Sequence, residues 1–213
     1  MRLTADGRLA VIHDGSTART TGTDLGVERT EWKDLAALDA GSLKGEAFRG
    51  ESIPLLEDLL DRWGPEVLWD IEVKNGVAAD YGLEAALART LRATRWGPAL
   101  LDSCAVTSFN PLALARFRAL VPEVAVGIIW SRDPELPFVL RHGEGRWLGR
   151  ADFLKPAAAL VGPRSAFRWR HLEGYEYFPW TVDEGEEAER FLALGASGLV
   201  SNRADRLAPA LAG

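Results

Sequence analysis

The chain has 213 residues, 47% of them hydrophobic, and a net charge of −6 from 25 basic and 31 acidic side chains. That apolar content excludes a disordered chain, and the acidic balance argues against broad nucleic-acid binding, which needs a basic face, while leaving room for a small anionic substrate. No stretch reaches the length of a membrane span, so a cytoplasmic protein is expected.

Residues 3–13 read as a hairpin. Leu3-Thr4 leads into Ala5-Asp6-Gly7, a strong turn signal, and the apolar run Leu9-Ala10-Val11-Ile12 returns as a strand closed by His13-Asp14. Residues 15–53 are polar and rich in glycine and threonine, with one short helix expected from Glu31 to Leu38 behind an N-cap at Thr30. This stretch is too long for an ordinary connection and reads as an excursion over a site. Pro54 opens the next helix as a first-turn proline, with Leu55, Leu56, Leu59 and Leu60 on one face.

A regular alternation follows. Strands are expected at 67–73, 104–109, 124–130, 152–155, 175–181 and 197–201. Helices are expected at 80–95, 111–120, near 163–172, at 184–194 and from Asp205 onward. The single cysteine, Cys104, sits in the apolar run Cys104-Ala105-Val106-Thr107 with no disulfide or metal spacing, and reads as a buried structural thiol. Strand–helix alternation means a parallel sheet with right-handed crossovers. With no diffuse linker, residues 1–213 are expected to form one domain.

Two strand ends carry chemistry. A strand that closes on ionisable groups delivers them to the mouth of a sheet or barrel, where α/β enzymes keep their sites. His13 can move protons near neutral pH, although a histidine that merely ends a strand and bonds to backbone fits the same spacing. Glu72 and Lys74 stand at i and i+2, so on a strand they face one side. That suits a shared inward site and equally a plain ion pair. Asp14 can orient His13 or cap the following turn, and the structural role is preferred.

The pattern Leu3-Thr4-x-Asp6-Gly7-x-Leu9-x-Val11-Ile12-His13-Asp14 resembles a motif of the glycerophosphodiester phosphodiesterase family. Six further pieces agree in order: Leu38-Asp39-Ala40-Gly41-Ser42, Ile53-Pro54-x-Leu56-Glu57, Asp70-Ile71-Glu72-Val73-Lys74, Thr107-Ser108-Phe109-Asn110-Pro111, Ala151-Asp152-Phe153-Leu154-x-Pro156 and Pro179-Trp180-Thr181-Val182-Asp183. Gly198-Leu199-Val200-Ser201-Asn202-Arg203 completes the set. The resemblance implies an α/β fold of the TIM-type (β/α)8 barrel class. Here it would lack the first strand–helix–strand unit, leaving about six parallel strands, the N-terminal hairpin and the excursion at about 15–53.

The resemblance also implies a chemistry: metal-dependent hydrolysis of glycerophosphodiesters to glycerol 3-phosphate and an alcohol. By it, His13 is one of two acid–base histidines and Glu72 one of three carboxylates holding a divalent cation, Mg²⁺ or Ca²⁺. Lys74 meets phosphoryl oxygens. Trp180, Phe109 and Lys155 surround the substrate, although relatives often carry histidine at the place of Lys155, and a tryptophan near a strand end is also ordinary packing. Asn202 stands where many relatives have aspartate. The family's opening strand and its Glu-x-Asp-Val strand have no counterpart, and Met1, the only methionine, falls on the Val. A start codon assigned too late, at an internal GTG, would account for about 30 absent residues, the size of one strand–helix–strand unit; genuine loss is the rival. The chain alone is then expected to be inactive and to self-associate through an open edge. The alternatives are a non-catalytic remnant that binds phosphate compounds and a phospholipase-type relative.

Overall fold

The computed structural model describes residues 1–74, 82–134 and 136–211. The chain divides into two compact units, one of residues 1–106 with 116–124 and one of 107–115 with 125–213.

The first unit opens with the expected hairpin. Strands β1 (Arg2–Leu3) and β2 (Leu9–Ala10) pair antiparallel, Arg2 opposite Ala10 and Leu3 opposite Leu9. The Thr4 hydroxyl donates to Asp6 at 2.6 Å, and Gly7 takes the left-handed φ of +80° that closes the turn. The returning strand is shorter than expected. Past Ala10 the backbone leaves its partner, Val11 N donating to Pro54 O at 2.9 Å, so His13 sits on a loop three residues past the end of β2.

The excursion folds as short helical pieces, among them α1 (Ala18–Thr21) and α2 (Trp32–Ala36). It has its own apolar centre of Ala10, Ile12, Val27, Leu35 and Ile53, with Trp32 and Leu38 packed against it. Thr30 does not cap α2. Its hydroxyl turns back to Gly26 O, and the Asp6 carboxylate instead accepts Trp32 N at 3.0 Å. An acceptor from the hairpin thus replaces the local one. Pro54 likewise does not open the next helix. Leu55 forms an antiparallel bridge with Ala10, which keeps Pro54 and Leu55 extended, and α3 runs Leu56–Trp63.

Strand β3 (Trp69–Glu72) is shorter than residues 67–73, because Leu68 is 89% exposed and Val67 39%. Trp69 N donates to Ser103 O at 2.8 Å, which sets β3 beside the first half of β4 (Cys104–Ser108). Between them come α4 (Leu83–Ala93) and α5 (Pro98–Asp102). Residues 80–81 of the helix expected at 80–95 lie outside the described residues. The buried Glu84 carboxylate is gripped by Arg116 Nε and Nη2 at 3.0 and 2.7 Å, pinning α4 to α6 (Pro111–Leu120).

In the second unit β5 (Ala125–Trp130), β6 (Phe153–Pro156) and β7 (Glu176–Tyr177) run parallel in that order. β5 is buried from Val126 onward, as a strand covered on both faces must be. Gly127 is required there: a Cβ would meet the Phe153 ring at 2.3 Å. After β5 comes α7 (Gly145–Leu148), and after β6 comes α8 (Pro163–Phe167), which loosens into a π-turn at Arg168–Leu172. The expected strand 175–181 keeps only Glu176–Tyr177 plus bridges at Trp180, and 197–201 is reduced to one bridge, Trp180 with Val200. Pro179 and short pairing partners leave no room for longer ladders. Helices α9 (Gly185–Ala193) and α10 (Ala204–Leu211) close the chain.

Candidate active site

In the first unit, His13, Glu72 and Lys74 line one cavity of about 330 Å³, together with Met1, Ile12 and Asp70. The ladder at its floor explains their meeting. Met1 N donates to Glu72 O at 2.6 Å and Lys74 N to Met1 O at 3.3 Å, the pattern of a parallel pair, so the start of β1 is tied to the end of β3. The hairpin then carries His13 back to the same place.

Glu72 and Lys74 do face one side. Lys74 Nζ lies 2.7 Å from Glu72 Oε1, with both side chains partly shielded. His13 is exposed, but its ring is not free to turn. Its Nδ1 lies 2.7 Å from Asp14 Oδ1, and Asp14 Oδ2 accepts Arg19 Nε at 2.5 Å. The Arg19 hydrogen bond, then that from His13, holds the Asp14 carboxyl down to about 2. Asp14 is therefore an anion wherever an imidazole titrates, and it favours the tautomer with hydrogen on Nδ1 and a lone pair on Nε2. This contact suits the orienting role for Asp14, while the bond to Arg19 ties the start of the excursion. Arg19 escaped the sequence reading altogether; its one signal is a cation five residues past Asp14 on the first turn of the excursion.

In the second unit Phe109, Lys155 and Trp180 also come together. The Trp180 ring meets Phe109 edge-on with centroids 5.5 Å apart, and its Nε1 donates to Lys155 O at 2.9 Å. Lys155 is buried. Asn202 serves a neighbouring clasp, where Asp183 accepts Ser201 Oγ, Asn202 N and Asn202 Nδ2 at 2.7–3.1 Å. His142 and His171 lie exposed against Phe138 and Phe167. Burial pushes the Cys104 thiol up to about 11, which suits an inert core residue.

The profile of the glycerophosphoryl diester phosphodiesterase family matches residues 1–206. The chain belongs to this family. Among its relatives is a glycerophosphodiester phosphodiesterase of Caldanaerobacter subterraneus, 29% identical over 208 residues, which cover 97% of this chain and 82% of that protein. Another, from Bacillus altitudinis, is 26% identical and shares the same coverage on both sides. The fold is similar to that of an Oleispira antarctica phosphodiesterase solved with the product sn-glycerol-3-phosphate: TM-score 0.84, 24% identity, 99% of this chain and 82% of that one. The fold class is thus the α/β TIM-barrel class of the family.

The family generally depends on a divalent metal. The donor set here is thin for one. Among the described residues no three His, Cys, Asp or Glu side chains gather as a metal site, and of the two carboxylates lining the cavity, Asp70 and Glu72, Glu72 already holds Lys74. These residues do not make a complete hard-cation cage, which takes six or more oxygens.

Proposed function

We propose that this chain acts on glycerophosphodiesters, releasing glycerol 3-phosphate and an alcohol by hydrolysis of a P–O bond. The observation that carries the reading is the meeting of an Asp14-held imidazole with the Glu72–Lys74 pair in one cavity, in a chain of this family.

His13 keeps Nε2 for proton exchange. It can hand a proton to the leaving alkoxide, or take one from the attacking hydroxyl. Lys74 supplies positive charge to the phosphoryl oxygens as negative charge builds there. Glu72 orients Lys74 and is our candidate for one ligand of a cation, Mg²⁺ or Ca²⁺, with no step assigned to that ion. For Trp180, Phe109 and Lys155 we propose substrate contact, supported by their mutual packing beside strand ends. Residues 1–213 are proposed to work as one domain. Exposed Leu68, beside half-exposed Trp63 and Val67 at the start of β3, supports self-association along that strand.

The test is release of glycerol 3-phosphate from glycerophosphocholine by purified chain, beside His13→Ala. Acid and base each contribute about 10²–10⁴-fold, and among the described residues one histidine lines the cavity. A slow rate that His13→Ala abolishes is expected. A rate untouched by His13→Ala would overturn the assignment.

A further inference from the structure

Residues 138–172 carry seven lysines and arginines against two acidic residues, in a chain whose net charge is −6; Arg146 and Lys155 are buried, and Arg168 and Arg170 pair with Glu173 and Glu176. The same segment exposes five large apolar side chains: Phe138 at 71%, Trp147 at 62%, Leu148 at 58%, Phe167 at 57% and Leu172 at 70%. Its pieces are held together beneath the surface. Buried Arg146 on α7 pairs with Glu173 just past the π-turn at 3.1 and 3.2 Å, and Glu173 also takes Arg168 at 2.9 Å. Trp130 meets Trp169 edge-on at 5.4 Å and packs under Gly143. The helix α7 and the α8 turn are therefore neighbours, each with its apolar residues outward. The side chains of Arg150 and Arg164 are exposed and make no ion pair or hydrogen bond among the described residues.

Tryptophan, phenylalanine and leucine interleaved with unpaired arginine is the composition that settles at a bilayer interface. The apolar rings enter the headgroup layer while the guanidinium groups meet lipid phosphates. A nucleic-acid site would not leave five apolar residues dry of base or phosphate contact, and a core packing role is excluded by their exposure. We propose that this face of the second unit binds the surface of an anionic phospholipid bilayer, through Trp147, Leu148, Phe167 and Leu172 with Arg150 and Arg164. Such docking would place the chain where phospholipid breakdown supplies its substrate, but it does not depend on the catalytic reading.

The experiment is co-sedimentation of the full chain with vesicles of phosphatidylcholine alone or mixed with phosphatidylglycerol. Binding is expected only to the mixed vesicles, falling as salt rises. Arg150→Gln with Arg164→Gln should weaken it about thirtyfold, since each arginine near an anionic surface adds about 1 kcal/mol. Trp147→Ala with Phe167→Ala should weaken it as well. All four positions are exposed, and thermal melting of the variants checks that they fold. No binding to mixed vesicles, or equal binding to both kinds, would overturn the proposal. So would self-association that Trp147→Ala with Phe167→Ala abolishes in chain that ignores vesicles.

Discussion

Asp14 lies between two partners, His13 Nδ1 at 2.7 Å on one carboxylate oxygen and Arg19 Nε at 2.5 Å on the other. A carboxylate so held can fix an imidazole's tautomer without itself taking the proton. Asp14→Asn should keep the shape and lose that control. Nitrogen NMR of the His13 ring should show hydrogen on Nδ1 in the parent and a mixture of tautomers in the variant. Turnover should fall about 10²-fold or more, without a comparable change in KM. An unchanged ring spectrum would show that Asp14 does not position His13.

Much of this was legible before any coordinates. His13, Glu72 and Lys74 could be placed together because apolar runs and i, i+2 spacing are local facts, although His13 and Lys74 fall just past the strands rather than on them. The helix Pro111–Leu120 matches its expected bounds, since its proline and apolar rows announce both ends. Two of the misreadings share one cause: a partner from elsewhere in the chain displaced the local one. Thr30 lost the cap to Asp6, and Pro54 lost its helix to the Ala10–Leu55 bridge. Residues 197–201 are apolar enough for a strand, but only Val200 finds a bridge.

The Glu72–Lys74 pair at 2.7 Å gives a test by paired variants. Lys74→Gln should remove charge from the phosphoryl oxygens and cost about 10²-fold in kcat. Glu72→Gln leaves Lys74 in place without its orienting partner, so it should raise KM more than it lowers kcat. Equal and small effects from both would reduce the pair to surface decoration.

Calorimetry with Mg²⁺ and Ca²⁺ should find weak binding. Two cavity carboxylates, Asp70 and a Glu72 engaged with a lysine, offer too few oxygens for a hard cation. The expected result is no heat of binding below about millimolar metal, the range of the weakest natural calcium modules. Tight binding lost in Glu72→Gln would show that other carboxylates complete a site after all.

Acid should destabilise the chain through several anchored carboxylates. Asp14 is pulled from 3.8 to about 2, chiefly by Arg19. Asp183 is lowered by Asn202, and Asp6 by the Thr4 hydroxyl. A depressed folded pKa gives stability that is complete above the unfolded value and lost as pH falls through the folded one. Urea midpoints should hold down to about pH 4 and drop toward pH 2. Asp14→Asn should flatten part of that drop; a midpoint that rises on acidification would contradict the sign.

Gly41 gives the most local test of the excursion. Asp39 accepts Gly41 N at 2.9 Å, Ser42 N at 2.8 Å, Ser42 Oγ at 2.6 Å and Gly50 N at 3.0 Å, so one carboxylate ties both ends of the loop. Ala40 N donates to Glu51 O at 2.7 Å and closes the neck. That closure brings Phe48 backbone against Gly41, where an added Cβ would lie 1.8 Å from Phe48 O. A carbonyl in a hydrogen-bonded loop cannot swing away as a side-chain tip can. Gly41→Ala must therefore push the loop off Asp39, at an expected cost of about 1–3 kcal/mol for an overpacked site, or a melting temperature lower by several degrees. Gly50 is the control. Its φ is +83° but its Cβ would meet nothing within 4 Å, so Gly50→Ala should cost only backbone strain of about 1 kcal/mol. Cleavage of the loop by protease should rise in Gly41→Ala and much less in Gly50→Ala. Equal melting of Gly41→Ala and the parent would mean that the neck is not closed as described.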